Sequence, residues 1–332
     1  MRIGENPLKS DVQKLEHKQH RIILPFWIPD IINPYFRNQP EVLRHCLQSL
    51  SDTINHASTN ITLINNNSCP EASEVAESFV AKGVIDKYVV LSENRGKLET
   101  VLAEARASYE EFVTIADGDF LFMKGWEKSV ADIMRALPSA GMVTCFPTAH
   151  LGYFYNSNSI WFPLKAGKII DDKDIDLFEQ GIGHSASSGL YSKTGFKRKY
   201  SWRQRHYYIE RKGCTAVVGA VHALATYRRA VVETFSKKPV ELRFGNGYEH
   251  DYIDFASEKS GFLRVSTPKL MAYHMGNTLP DEVEDFFAES KYEDIEAAVW
   301  PINQKSRRAK FLKILFPMGK YIFRLLRKLR II

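Results

Sequence analysis

The sequence predicts an α/β fold, a Rossmann-like mixed sheet with helices on both faces. Three observations carry that expectation. Short apolar runs alternate with longer stretches whose apolar residues recur at helical spacing. Pro70 opens one helical stretch, which Gly83 closes, and Gly261 closes another. The alternation is regular through the first half of the chain, as in parallel βαβ units. At 332 residues the chain accommodates one large domain with an appendage.

The elements follow in order. "RIILPF" (21–26) is a strand, and "EVLRHCLQSLSDTI" (41–54) a helix with apolar residues at Val42, Leu43, Cys46, Leu47, Leu50 and Ile54. "NITLIN" (60–65) is a strand. The helix after it opens at Pro70 and stops at Gly83. "VIDKYVVLS", "EFVTIA" and "GMVTCF" are further strands, with helices "KLETVLAEARAS" and "WEKSVADIMRAL" between them. Residues 148–215 break the rhythm and read as long loops or an inserted region. Residues 216–235 read as a strand followed by a helix. Residues 246–262 are an acidic cluster leading into a helix, and 263–277 a strand-like run ending in His274.

Ligands of wound sheets bind beyond the carboxyl ends of the strands. Here those ends are Pro25-Phe26-Trp27, Asn65-Asn66-Asn67-Ser68, Ser92-Glu93-Asn94-Arg95 and Asp117-Gly118-Asp119. Asp117 and Asp119 repel unless a cation lies between them. Two carboxylates at a strand end suit Mg²⁺ or Mn²⁺ shared with a diphosphate. Asp-Gly is also common turn chemistry. The second acidic cluster holds Glu249, His250, Asp251 and Asp254, and any carboxylate or imidazole within reach of a hydroxyl can act as its base. The same cluster also reads as an acidic helix N-terminus.

The order of these motifs resembles the family-two glycosyltransferases of GT-A fold, of the bacterial surface-polysaccharide type. "LPFWIP", "NNNSCPEAS", "SENRGK", "ADGDFLFMKGW", "VGAVHALATYRR" and "GYEHDYIDFASEKSGF" carry the likeness, which spans about residues 20–277. The resemblance implies a donor half at 20–147, an inserted acceptor-side loop region at 148–215 and an acceptor half at 216–277. It implies nucleotide binding by Pro25, Phe26, Asn66, Arg95, Lys97 and Asp117. It implies a divalent metal on Asp119, Asp117 and His274, and a base in the acidic cluster, Asp251 first and Glu249 second, with His250 as the further candidate. Asparagines at 65 and 66 and histidine at 250 depart from the aspartates usual in the family. The activity implied is inverting, metal-dependent transfer of a hexosyl or related group from a nucleotide-sugar donor to a hydroxyl of a glycan or lipid-linked acceptor.

The alternatives are an inactive transferase, or a glycan- or nucleic-acid-binding module using the basic–aromatic patch 193–212. That patch has Lys193, Lys197, Arg198, Lys199, Arg203, Arg205, Arg211 and Lys212 among Phe196, Tyr200, Trp202, Tyr207 and Tyr208. It leaves the strand-end residues unexplained, so nucleic acid is not expected as a partner. A phosphatase of haloacid-dehalogenase type is disfavoured because Leu121 stands where that family has Thr or Val. Walker and G-x-G-x-x-G motifs are absent from the sequence.

Charge is uneven. Residues 305–332 carry ten Lys or Arg and no acid, whereas the rest has 35 basic against 39 acidic residues. After a connecting region at 278–304, this tail reads as two short amphipathic pieces divided by Pro317 and Gly319, suited to an anionic membrane surface. No run approaches the ~18 apolar residues of a membrane span. Four cysteines without metal or redox spacing, and a polar opening without an export signal, point to a cytoplasmic protein, peripheral on the inner face of the membrane.

Overall fold

The structure is a computed structural model that describes residues 3–6, 9, 17–184, 200–243, 248–279, 297–302, 304–329 and 331. Its centre is a ten-stranded sheet. Strands β1 (His20–Phe26), β2 (Thr59–Asn65), β3 (Lys87–Val90) and β4 (Phe112–Ala116) are mutually parallel in the order β3-β2-β1-β4. Their residues alternate between two apolar layers, as the two-residue period of a strand requires. Ile22, Leu24 and Phe26 of β1 face one layer with helices α1 (Gln39–Thr53), α2 (Pro70–Ala81) and α4 (Trp126–Ala136). Ile23 of β1, with Val113 and Ile115 of β4, faces the other layer with α3 (Lys97–Ala107). Each strand is therefore apolar on both sides, which is why it reads as an unbroken run.

Helix boundaries follow local chemistry. Pro70 opens α2, where its missing N–H costs nothing. Gly96 precedes α3 at φ 80°, and a Cβ there would lie 2.5 Å from the Arg243 carbonyl oxygen. Trp126 anchors α4 under the sheet, its Nε1–H donating to Thr53 Oγ1 at 3.1 Å.

After β4 the chain forms the short β5 (Phe120–Phe122), which lies outside the main sheet, and returns to that sheet as β6 (Ala140–Thr144). Two readings of the sequence change here. The segment 148–215 does contain irregular turns and helix α5 (Asp172–Gly181), but it also supplies main-sheet strands: β8 (His206–Arg211) pairs antiparallel with β7 (Lys165–Gly167) and with β9 (Cys214–Val218). The stretch 216–235 is two strands and a short helix, not one of each. After β9 the chain turns and enters β10 (Leu224–Arg228), then α6 (Arg229–Val232). Strand β10 lies antiparallel between β4 and β6. A π turn over His250–Asp254 leads into α7 (Phe255–Lys259), then β11 (Leu263–Ser266) and β12 (Ala272–His274).

The C-terminal tail is one helix, α8 (Arg307–Lys328), not two pieces. Ser306 caps it by accepting from the Ala309 N–H at 3.1 Å. Pro317 is exposed, and Gly319 is buried against Trp161, where a Cβ would lie 2.9 Å from Nε1. Most of the connecting region 278–304 lies outside the described residues.

Candidate active site at the carboxyl rim

Strands β1, β2 and β4 end on one rim. Because β10 runs the other way, it brings its beginning to that rim, and the Asp117 N–H donates to the Ala223 carbonyl at 2.9 Å. The turn Asp117-Gly118-Asp119 lies between β4 and β5. Lys97, the first residue of α3, forms an ion pair with Asp117. Burial pushes the Lys97 ammonium down, but Asp117, with Glu249 and Asp119 behind it, more than offsets this and leaves its pKa above the ordinary value. Burial, reinforced by Asp119, raises Asp117 despite Lys97.

Asp119 has a different partner. β5 and β12 pair antiparallel, with His274 opposite Phe120, and the Met275 N–H donates to the Asp119 carbonyl at 2.8 Å. This sets His274 Nε2 3.2 Å from Asp119 Oδ2. The other imidazole nitrogen, Nδ1, bonds the Gly181 carbonyl at 2.6 Å. That bond fixes the tautomer and turns Nε2 toward the aspartate, as metal-binding histidines are commonly held. Burial lowers the His274 pKa, yet its hydrogen bond and charge interaction with Asp119 bring it to about 9. Asp119 Oδ1 is buried and has no hydrogen-bond partner among the described residues. An orphaned, inward-facing carboxylate oxygen beside an oriented imidazole fits a divalent cation.

The nucleotide side differs from expectation in part. Asn66 is buried, its amide donating to Asn94 Oδ1 at 2.9 Å and accepting from the Arg95 N–H at 2.9 Å. Asn65 accepts from the Ser68 N–H and donates to Ser73 and Tyr88. Both asparagines thus shape the rim loops. Pro25 and Phe26 are buried at the end of β1. Arg95 is about half exposed, near Glu93 and Glu99, and remains open to solvent.

The second cluster centres on a residue given no role from sequence. Asp254 is wholly buried, and its Oδ2 accepts from His250 Nδ1 at 2.6 Å and from His222 Nδ1 at 2.8 Å. Arg264 Nη2 stands 3.1 Å from Oδ1. Burial would raise the Asp254 pKa, but Arg264 and the two imidazoles hold it well below the usual carboxylate range. Tyr155 stacks on the His250 ring, centroids 5.5 Å apart. Glu249 lies 3.9 Å from His222 Nε2. Asp251, the base favoured from sequence, is exposed and acts on this group only through its charge near Tyr155. His222, His250 and Asp254 are close enough to share a metal ion. Arg264 already compensates Asp254, however, and both Nδ1 atoms are spent on its carboxylate. His222 lies within the quoted "VGAVHALATYRR" stretch but was given no role, because an isolated histidine in an apolar run carries no spacing signal.

A cavity of about 280 Å³ joins the two clusters. Phe120, Phe146, Phe178 and Ile182 wall it, His274 borders it on one side, and His222 and His250 on the other. The described part of the basic–aromatic patch is split: Tyr200, Arg211 and Lys212 are exposed, whereas two of its residues are built into the fold. Trp202 is buried, and Arg203 is paired with Asp176 and Glu179 at 2.5 and 2.6 Å. Lys193, Phe196, Lys197, Arg198 and Lys199 lie outside the described residues.

The family model for glycosyl transferase family 2 matches residues 30–235. Among solved structures, the mannosyltransferase PcManGT from Pyrobaculum calidifontis, in complex with GDP-Man and Mn²⁺, is similar at 12% identity and TM-score 0.44, covering 93% of this chain and 74% of that one. TarS 1-349 of S. aureus is similar at 12% identity and TM-score 0.45, covering 92% and 72%. Its complex with UDP-GlcNAc is similar at 12% identity and TM-score 0.43, covering 92% and 73%. No protein of curated function matches the sequence. The family match runs from the loop after β1 through the aspartate turn to the end of α6 and takes in well over half of the chain, which therefore belongs to glycosyl transferase family 2.

Proposed function

We propose that this chain is an inverting, metal-dependent glycosyltransferase that moves a hexosyl or related group from a nucleoside-diphosphate sugar to a hydroxyl of a glycan or lipid-linked acceptor. Surface polysaccharide synthesis at the inner face of a membrane is the setting we infer. The observation that carries the reading is Asp119, with one oxygen against His274 and the other buried and orphaned. Asp119 and His274 would hold Mn²⁺ or Mg²⁺, with Asp117 beside them. The ion supplies Lewis-acid stabilisation of the departing diphosphate.

The chain's own residues do the rest. Lys97 holds Asp117 in place, and Arg95, half exposed in its pairs with Glu93 and Glu99, would turn to meet the nucleotide. We assign the base to His250. Its Nδ1 is bonded to Asp254, which leaves Nε2 to accept a proton, and its ring borders the cavity. As the acceptor oxygen bonds to the anomeric carbon, its proton passes to Nε2, and the sugar–diphosphate bond breaks with its electron pair leaving on phosphate oxygen. Asp254 is a positioning residue, fixing the tautomer and stabilising the imidazolium that forms.

The test is thermal shift of the full chain against a panel of nucleoside diphosphates and their sugars, with and without Mn²⁺. A rise in melting temperature that needs both metal and one nucleotide, and is lost in Asp119→Ala, is the expected result. A shift with nucleotide but no metal would overturn metal dependence. No shift with any nucleotide would favour an inactive transferase.

A further inference from the structure

We propose that the outward side of α8 is a docking surface for an anionic lipid bilayer. The proposal is independent of the transfer chemistry. Ala309, Leu312, Gly319 and Phe323 face the body and are buried. Burying one side normally leaves a polar opposite side. Here the outward side carries a second apolar line. Phe311, Ile314, Met318, Tyr321 and Leu325 follow one another at steps of three and four residues, which places them in one stripe. Each is between 45 and 77% exposed. Five large apolar side chains in one exposed line exceed the isolated residues that an ordinary surface shows.

Beside that stripe runs a line of cations. Lys310, Lys313, Arg324 and Lys328 are exposed. At its N-terminal end this line borders a cavity of about 340 Å³, to which Arg229 and Lys305 also contribute, along with Glu111 and Glu233. The helix thus has three sides: one against the body, one apolar and one cationic. An apolar stripe flanked by cations is the form that lies in a lipid interface, with the apolar residues among acyl chains and the cations at the phosphates. No helix among the described residues is long and apolar enough to cross a membrane, so the contact is lateral.

The charge selects the occupant. A second copy of α8 on the same stripe would bring two cation lines together with no acid between residues 305 and 332 to oppose them. Anionic lipid supplies the missing charge, at roughly one kcal/mol per cation near the surface.

The experiment is flotation of the full chain with vesicles of phosphatidylcholine alone and with ~30% phosphatidylglycerol. Binding is expected to the anionic vesicles only, and to fall with salt. The triple variant Lys313→Gln/Arg324→Gln/Lys328→Gln should bind about 100-fold more weakly. The triple variant Ile314→Ser/Tyr321→Ser/Leu325→Ser should lose binding by at least about tenfold while keeping the wild-type melting temperature, because these side chains touch solvent. Equal binding by wild type and both variants would overturn the proposal. So would a concentration-dependent dimer that the serine variant dissolves, with no binding to vesicles.

Discussion

Asp254→Asn tests the second cluster most directly. Asp254 is 0% exposed and Arg264, its ion-pair partner, 1%. The asparagine has nearly the same shape, so packing is preserved while the charge is removed. Arg264 would keep its bonds to the carbonyls of Phe154 and Ala220 but lose its only close carboxylate among the described residues. Both imidazoles share Oδ2, so an amide nitrogen placed there meets two N–H donors, and one placed at Oδ1 turns its N–H groups toward the Arg264 guanidinium. Breaking a buried pair by removing one partner costs about 3–5 kcal/mol. At about 2–4 °C per kcal/mol, the melting temperature should drop by roughly 6–20 °C. The pH dependence has a definite sign. A carboxylate whose folded pKa is depressed contributes stability above its unfolded value, about 3.9, and loses it as pH falls toward the folded value. The gap between wild type and variant should therefore be full near neutrality and shrink below about pH 4. Calorimetry or urea unfolding across pH reads both. A drop of less than about 2 °C, or a gap that widens in acid, would show that Asp254 is not the buried counter-ion of this cluster.

Three further changes probe the rim and its supports. Gly181→Ala places a Cβ 2.7 Å from the His274 carbonyl oxygen and should displace the imidazole, weakening Mn²⁺ binding about 10–100-fold in a metal titration followed by thermal shift. His250→Gln should leave the nucleotide-dependent thermal shift intact while slowing donor turnover about 10²-fold or more, read by release of nucleoside diphosphate. Gly261→Ala forces a side chain at φ 83° to within 2.1 Å of the Ala309 carbonyl oxygen. It should destabilise the chain by about 1–3 kcal/mol in urea unfolding.

The first half of the fold was legible because its signals are local. β1 to β4 and β6 fall within a few residues of the apolar runs, and Pro70 marks a helix start by its own backbone chemistry, whereas the three-residue β5 was not read as a strand. The β8–β9 hairpin was hidden by composition. "HYYIER" is crowded with charge and rings, although Lys212 and Gly213, both at positive φ, form the kind of two-residue turn that joins such strands. The run "AVVGAVHALATYRR" is apolar on both sides of two successive strands, so no period separates them. Only Gly219, at φ 136° and 2.2 Å from the Thr148 carbonyl by its would-be Cβ, marks the break. The aspartate turn and His274 could be named because each ends a strand. The pairing of His222 with Asp254 could not, because 32 residues separate them and only the tertiary fold brings them together. Asn65 and Asn66 could be located but not interpreted. Whether an amide meets a ligand or a loop depends on neighbours 8 to 29 residues away.

The insertion of β10 between β4 and β6 has a consequence for synthesis. Those two neighbours are complete by Thr144, yet the strand that joins them ends at Arg228. Until the ribosome has passed that point, both hold bare hydrogen-bonding edges, and such edges recruit other strands. The two halves of the catalytic unit are therefore laced together. A fragment ending at residue 147 would be an open sheet prone to aggregate, and closure of the sheet is a late, long-range event in folding.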